Sequence, residues 1–509
     1  MLDRLKKLFT ESIIYSIGSL ILKLGGFLIM PLYISYTTSD EFGLIMLLEV
    51  ITQFIVSISG WGVKMGFQRW YFDMKSNQDQ KSLFFTSTIF NHFTSLLASV
   101  LVLFIILNFS HEIFKQQLST TVIVLFSGSV LLRLLQDLPF ILLKLQQKAV
   151  SQTLYQSINI IATLILTYYI LIQYKQGLEG VYWGQIIANA MTYTILIPLI
   201  IKNSSFKFQL QNLKDMIRYG VPLILSSVLT IIFSLSDRYI INYFKSLSDV
   251  GSYSIAFKIS SILQLVILAP FITSYTYSYY RYMNNESTDR FYLKSFTYFI
   301  FIMAITGLGI VLFSKEAIYL LSNGDIEYYN SIPLIPIMIL GLIFAGMRQV
   351  FTLPLNKAKL TKKISLVIII AGLLNFGLNL LFIPKFGMIG AAITTAISQL
   401  VGALWFFKIS KIIDPEPYEL SKITKTIIIL SILCYGYIYL PETSLILTYL
   451  IKLAIIPVFI LLLYITGCFE KIEIDSFKGA WRKWRNLKKL KVNISNYRSL
   501  YNSKDKKNL

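Results

Sequence analysis

Nine charged side chains fall inside stretches of the chain that are otherwise apolar for about twenty residues: Lys23, Glu49, Arg133, Asp137, Asp237, Arg238, Lys258, Arg348 and Lys452. A charge at that depth costs roughly 2.5–3.5 kcal/mol on insertion scales, so each should face a protein interior or a watery cavity. Six are cationic and three anionic. A set of purely structural ion pairs would balance, so the cationic excess leaves room for an anionic ligand. Arg348 and Lys23 have no acidic partner nearby on their own segments. Arg133 and Asp137, four apart on one helix face, are able to pair with each other. Asp237 and Arg238 are adjacent, so they point about 100° apart on a helix and should pair elsewhere, with Lys258 as one partner. Glu49 either carries a coupling proton, as a buried carboxyl can, or satisfies bundle polarity. Lys452 is expected at the periphery, its ammonium snorkelling to the interface.

The elements that must position these charges are apolar helices. At a rise of about 1.5 Å per residue, a helix needs roughly 20 apolar residues to cross the hydrocarbon core. Fourteen segments qualify. The first seven are 12–34, 44–63, 83–108, 119–142, 151–172, 181–201 and 219–243. The second seven are 251–275, 295–313, 331–353, 364–384, 388–407, 426–440 and 444–467. Basic loops alternate with basic-poor ones along this series. Of the 47 Lys and Arg, 36 lie on the side of the N-terminus, 5 on the opposite side and 6 inside spans. Short basic loops stay cytoplasmic, which places both termini there. Arg69, at the cytoplasmic end of span two, is either a gate residue or part of the same positive-inside signal.

Composition excludes a soluble chain. The hydrophobic fraction is 55% over 509 residues, and the mean hydropathy is +0.64, too apolar for water. A net charge of +21 would elsewhere suggest nucleic acid. Here it follows the topology and meets anionic lipid, so no nucleic-acid partner is expected. Two cysteines, Cys434 and Cys468, lie in or beside the last two spans and give no disulfide framework. The first apolar run is long and lacks a small-residue cleavage site, so it reads as a retained helix.

Two parts of the chain echo each other. TTSDEFGL at 37–44 follows span one, and SLSDVGSY at 246–253 follows span seven. GLEGV at 177–181 enters span six, and GMIGA at 387–391 enters span twelve. Gly43 to Gly180 is 137 residues, and Gly251 to Gly390 is 139. The matched spacing points to duplication of a six-helix unit. Six is even, so both copies share one orientation about an axis along the membrane normal. The expected organisation is therefore an N-terminal bundle over 1–205, a second bundle over 206–410, two additional helices over 411–469 and a basic tail over 470–509. In that tail Phe477, Trp481, Trp484 and Leu487 recur at helical spacing among Lys and Arg, as in a helix lying on the inner leaflet.

RYGVPLILSS (218–227), SDRYIIN (236–242) and VGSYSIAFKIS (250–260) resemble the polysaccharide biosynthesis flippases. So does NFGLNLLFIPKFGMIGAAITTAIS (375–398), with its paired Asn, Ile-Pro and Gly-x-x-Gly-Ala-Ala. These O-antigen and repeat-unit flippases share a superfamily with lipid II flippases and MATE drug exporters. The resemblance covers essentially the whole chain, and its motifs are mostly structural. Pro222 and Pro384 lie near span ends, where a missing N–H costs little. Gly43, Gly251, Gly387 and Gly390 serve turns and close helix contacts. Asn375 and Asn379 bond neighbouring helices.

The resemblance implies an all-α polytopic membrane protein of a bacterial cytoplasmic membrane, with about 14 transmembrane helices in two six-helix bundles plus two. It also implies translocation of an isoprenoid-pyrophosphate glycan by rocking of the bundles. The pyrophosphate is expected among Lys23, Arg133 and Arg348, with Arg238 and Lys258 as further cavity cations. Glu49, Asp137 and Asp237 remain coupling or ion-pair candidates. No cofactor is expected beyond an H+ or Na+ gradient. Partners are the lipid-linked oligosaccharide, membrane lipids and a glycan polymerase or other assembly protein. Two rivals remain. A MATE-like exporter of cations predicts a net acidic cavity. A membrane glycosyltransferase or polymerase needs a long loop with acidic metal ligands or a catalytic base. No such loop and no Asp-x-Asp occurs, and His92 and His111 lie far from any cluster.

Overall fold

Lipid offers the backbone no hydrogen-bond partners, so a crossing segment must satisfy its own N–H and C=O groups, as a helix does. The computed structural model of the chain describes residues 25–174, 177–282, 289–413, 418–440, 444–471 and 473–475, and every element in it is helical. The elements begin with α1 (Gly25–Tyr36), α2 (Ser39–Ile58), α3 (Val63–Trp70), α4 (Asn77–Phe114) and α5 (Thr120–Leu145). Next come α6 (Ala149–Tyr174), α7 (Gly177–Asn203), α8 (Leu210–Phe244), α9 (Leu247–Leu263), α10 (Ala269–Tyr282) and α11 (Asp289–Leu312). The series closes with α12 (Ser314–Leu321), α13 (Leu334–Phe351), α14 (Leu353–Lys357), α15 (Thr361–Ile413), α16 (Leu420–Ile438) and α17 (Leu445–Ile465).

Spans two to fourteen fall on these helices, and of span one the residues from Gly25 on do, its first half lying outside the described residues. Eleven helical stretches among the described residues are long and apolar enough to cross a membrane. One of them, α15, covers expected spans eleven and twelve in 53 residues, while α1 overlaps the second half of span one and α8 contains span seven. The chain is an all-α polytopic membrane protein.

Several departures have local causes. Span two breaks at Ser59–Gly62, where Gly60, Trp61 and Gly62 have φ of 73°, 44° and 77°. Two glycines make that left-handed run accessible, and α3 resumes in a new direction. Span eight contains a π-helical turn, Gln264–Leu268, in which the Ala269 N–H reaches back five residues to the Gln264 carbonyl. Pro270 follows and has no N–H to restore the ordinary register. Helix α8 starts at Leu210, so Pro222 sits inside it rather than near its end. Lys214 and Arg218 had shortened the apolar reading there.

The two echoing motifs are built alike in backbone detail. Thr38 caps α2 in a reciprocal box with Glu41, and Ser246 caps α9 by accepting from the Asp249 N–H at 3.1 Å. Each cap lies five residues before a glycine, Gly43 or Gly251. There the helices touch: a Cβ on Gly43 would lie 1.8 Å from the Leu247 carbonyl oxygen. The pair α6 and α7 forms a hairpin that turns at Gly177 (φ 45°), and α15 folds into a second at Gly387 (φ 57°, ψ −135°). Within them, Asn159 meets Thr192 across the first turn and Asn375 meets Thr395 across the second.

The chain divides into two compact units, Met1–Glu286 with Ile310–Glu416, and Ser287–Gly309 with Pro417–Leu509. The second gathers most of α11 with α16 and α17. Lys294 pairs with Glu419 at 2.7 Å and with Glu470, and Lys422 pairs with Glu419 at 2.8 Å. Burial opposes the charge of Glu419, but hydrogen bonds from Lys294, Lys422 and Thr297 hold its carboxyl down at about 2. Lys452 does not snorkel. It is 1% exposed, with its ammonium 5.2 Å from the Tyr449 ring and 5.8 Å from the Tyr437 ring, because aromatic faces there replace water around the cation. Lys23 and the aromatic stripe of the tail lie outside the described residues.

Candidate functional site

Two polar cavities lie within the first unit. One, about 610 Å³, is walled by α1, α2, α5, α6 and α7, and Lys258 of α9 lines it too. The other, about 450 Å³, is walled by α8, α9, the π-helical turn, α13 and α15.

In the first cavity, Arg133 of α5 sets its Nη1 3.4 Å from both carboxylate oxygens of Glu49 on α2. One turn further along α5, Asp137 takes the Lys64 ammonium. Lys64 also donates to Ser59 Oγ at 3.1 Å and to the Val56 carbonyl at 3.3 Å. The same-helix pair open to Arg133 and Asp137 therefore does not form. The break at Gly60–Gly62 turns α3 so that its second residue, Lys64, stands beside Asp137. Lys258 lies 5.4 Å from the Phe27 ring, and no ion pair joins it to Asp237 among the described residues.

Neutral amides fill much of the remaining wall. Asn159 Nδ2 donates to Asn189 Oδ1 and to Thr192 Oγ1, each at 3.0 Å. Gln136 Nε2 donates to the Asn189 carbonyl at 3.1 Å, and Gln185 Nε2 to the Tyr33 hydroxyl at 2.9 Å. Sequence reasoning missed these residues because it followed charge alone. Gln185 and Asn189 are four apart in an apolar span, and that spacing was the available signal.

The second cavity has a different character. Arg348 of α13 lines it, and no Asp or Glu does among the described residues. The Arg348 Nε is buried without a hydrogen-bond partner. Asn375 Nδ2 donates to Thr395 Oγ1 at 3.3 Å, and Asn379 Nδ2 to Asn375 Oδ1 at 3.2 Å. Thr394 completes the chain by donating to Asn379. Asn379 is 0% exposed, so it ties the two arms of the α15 hairpin together, while Asn375 also lines the cavity.

The expected gathering of Arg133 and Arg348 around one anion does not occur. They sit on walls of different cavities, Arg133 on α5 in the first and Arg348 on α13 in the second. Asp237 and Arg238 line neither cavity and are buried, at 5% and 6% exposure. Contrary to expectation they do meet: the guanidinium curls back to 3.7 Å from Asp237 Oδ1, since the flexible arginine stem spans the angle between neighbours. Tyr253 donates its hydroxyl to Asp237, Arg238 Nε donates to Ser254 Oγ at 3.3 Å, and the guanidinium lies 4.7 Å from the Phe257 ring. These contacts hold the pair inside the bundle, although the Arg238 Nη1 makes no hydrogen bond. Arg69 pairs with Asp73 one turn on, in the open at 56% and 51% exposure, and lines neither cavity.

Hydroxyls and amides that donate and accept in several directions suit a polyhydroxylated ligand, and the cations suit an anionic one. A family model for polysaccharide biosynthesis proteins matches residues 8–278, and one for MatE matches residues 222–381. An uncharacterized membrane protein of Methanocaldococcus jannaschii is 25% identical over 211 residues, a match spanning 40% of each chain. The lipid II flippase MurJ in an inward closed conformation has a similar fold: TM-score 0.69 at 15% identity, covering 88% of this chain and 98% of that one. An inward-facing multidrug resistance MATE family transporter gives a TM-score of 0.63 at 15% identity, covering 80% and 96%. The chain belongs to the polysaccharide biosynthesis protein family.

Proposed function

We propose that the protein is a flippase for isoprenoid-pyrophosphate-linked oligosaccharide repeat units, carrying them from the cytoplasmic to the outer face of a bacterial cytoplasmic membrane. It is a transporter rather than an enzyme, and both its termini lie in the cytoplasm. Two six-helix halves, 1–205 and 206–410, rock about the cavities, and the two helices of 411–469 lie outside this repeat. The pyrophosphate is held by cations of the first cavity, Lys258 and Arg133. The amides of Asn159, Gln185 and Asn189 face the sugars, and the isoprenoid stays in lipid. Glu49, beside Arg133, is the residue through which an H+ or Na+ gradient would couple. A glycan polymerase or another assembly protein receives the product.

The observation that carries this reading is the charge of the cavities. In the first, each carboxylate already has a cation, and Lys258 stands in excess. In the second, Arg348 faces no carboxylate among the described residues. An exporter of cations would need the opposite balance.

The test is lipid analysis of a deletion strain. Accumulation of a completed isoprenoid-pyrophosphate glycan facing the cytoplasm, with surface polymer lost, is the expected result. Unchanged lipid-linked glycan with new sensitivity to cationic dyes would establish the drug-exporter reading instead, and truncated glycans would point to an enzyme.

A further inference from the structure

We propose that the second cavity is a subsite for a carboxylate-bearing sugar of the head group, a hexuronate or its chemical equivalent, bound through Arg348. The proposal rests on the flippase reading and adds a substrate class to it.

Three buried polar atoms without partners line this one cavity: Arg348 Nε, Gln399 Oε1 and Ser260 Oγ. An unsatisfied buried polar group is costly, and of the eighteen such atoms among the described residues these three converge on one cavity, where a ligand would supply their partners. Their chemistry defines that ligand. The guanidinium has a planar fork that matches a carboxylate through two parallel N–H···O bonds. The Gln399 oxygen needs a donor, which a sugar hydroxyl supplies and a fully ionised phosphate does not. The Ser260 hydroxyl serves either role.

Charge and size narrow the choice. Arg348 is the one charged side chain among the described lining residues. A single positive charge is matched by a monoanion, whereas a pyrophosphate would leave at least one negative charge uncompensated. The volume of about 450 Å³ lies in the lower part of the range of small-ligand sites, about 300–1,000 Å³, which suits a unit of a glycan rather than its whole length. Phe257, 37% exposed, presents an apolar ring to the same space. Gln264 opens the π-helical turn in the wall, and such turns recur at functional sites.

The test uses the purified full chain in detergent. Sodium glucuronate should raise its melting temperature by several degrees, and glucose at equal concentration should not. Arg348→Gln should abolish the glucuronate shift, and Arg348→Lys should keep part of it. Inorganic pyrophosphate should shift wild type and Arg348→Gln alike. Equal shifts from glucuronate and glucose on wild type would overturn the proposal. So would loss of the pyrophosphate shift in Arg348→Gln, which would assign the arginine to the phosphates. A second measurement follows translocation of two synthetic polyprenyl-pyrophosphate disaccharides, one ending in glucuronate and one in glucose, in proteoliposomes. Wild type should move the carboxylated lipid at least several-fold faster, and Arg348→Gln should bring the ratio toward one. A wild type that binds glucuronate but moves neither lipid would overturn the flippase reading while leaving the subsite in place.

Discussion

In the first cavity each carboxylate is matched by a cation from a neighbouring helix, Glu49 by Arg133 and Asp137 by Lys64. In the second, Arg348 has no carboxylate to face among the described residues. Yet the two are framed alike. Helix α5 packs against the α6–α7 hairpin in one half, and α13 packs against the α15 hairpin in the other. The two settings share the parts on which helix approach depends, the caps and the glycines, and differ in the side chains that face the cavities. Asymmetry of chemistry on a symmetric frame gives a head group two distinct environments, and so an orientation.

The strongest way to break the comparison is to attack the shared frame. Gly43→Leu would place a Cβ 1.8 Å from the Leu247 carbonyl oxygen, a backbone atom that cannot step aside. Helices α2 and α9 would have to part, with a loss of about 4 kcal/mol or more, seen as failure to purify as a monodisperse species. Gly251→Ala meets the Phe42 ring at 3.1 Å, the Ser39 carbonyl oxygen at 3.2 Å and the Gly43 nitrogen at 3.4 Å, none of them nearer than 3.0 Å, and should cost about 1 kcal/mol. Thermal unfolding measures both. Equal losses would show that the contact is as symmetric as the sequence echo, contrary to the geometry.

That frame was legible in the sequence because lipid permits few alternatives. Twenty apolar residues become a helix, and alternating basic loops count the crossings. The paired Gly43 and Gly251 were legible as an echo, though their mutual contact was not. The partners of the buried charges could not be read. Arg133 chose Glu49 on α2 over Asp137 on its own helix, a choice made by helix adjacency rather than by spacing. Lys64 was taken for a loop residue because the Gly60–Gly62 break, which aims it at Asp137, looks like ordinary apolar sequence. Neutral amides such as Asn159 and Asn189 barely disturb hydropathy, so a search keyed to charge passes over them.

Next in size are the unlike cations. Lys64→Met strands Asp137, whose side chain is 26% exposed. Removing one member of a buried pair costs about 3–5 kcal/mol, and partial exposure here reduces that to about 1–2 kcal/mol. Adding Asp137→Leu should recover most of the loss. Arg348→Met should go the other way. It removes a charge that no carboxylate compensates among the described residues, so thermal stability in the absence of ligand should rise by about 1 kcal/mol, while the glucuronate shift disappears. If Arg348→Met destabilises as Lys64→Met does, the arginine has a structural partner and the contrast between the cavities fails.

The smallest expected effect is the most informative about transport. Arg133 and Glu49 are 47% and 44% exposed and 3.4 Å apart. A pair that open to water is worth little, and a double-mutant cycle with Arg133→Gln and Glu49→Gln should give a coupling of about 0.5 kcal/mol. That coupling should shrink further at about 1 M salt, where screening acts within about 3 Å. A weak pair is what a substrate site requires, because a phosphate can then draw Arg133 away from Glu49 at small cost and leave the carboxylate free to take a proton or a cation. A coupling above about 2 kcal/mol would mean a lock of the Lys64–Asp137 kind. Arg133 would then be part of the frame, and Lys258 would be left as the one ligand-facing cation of the first cavity among the described residues.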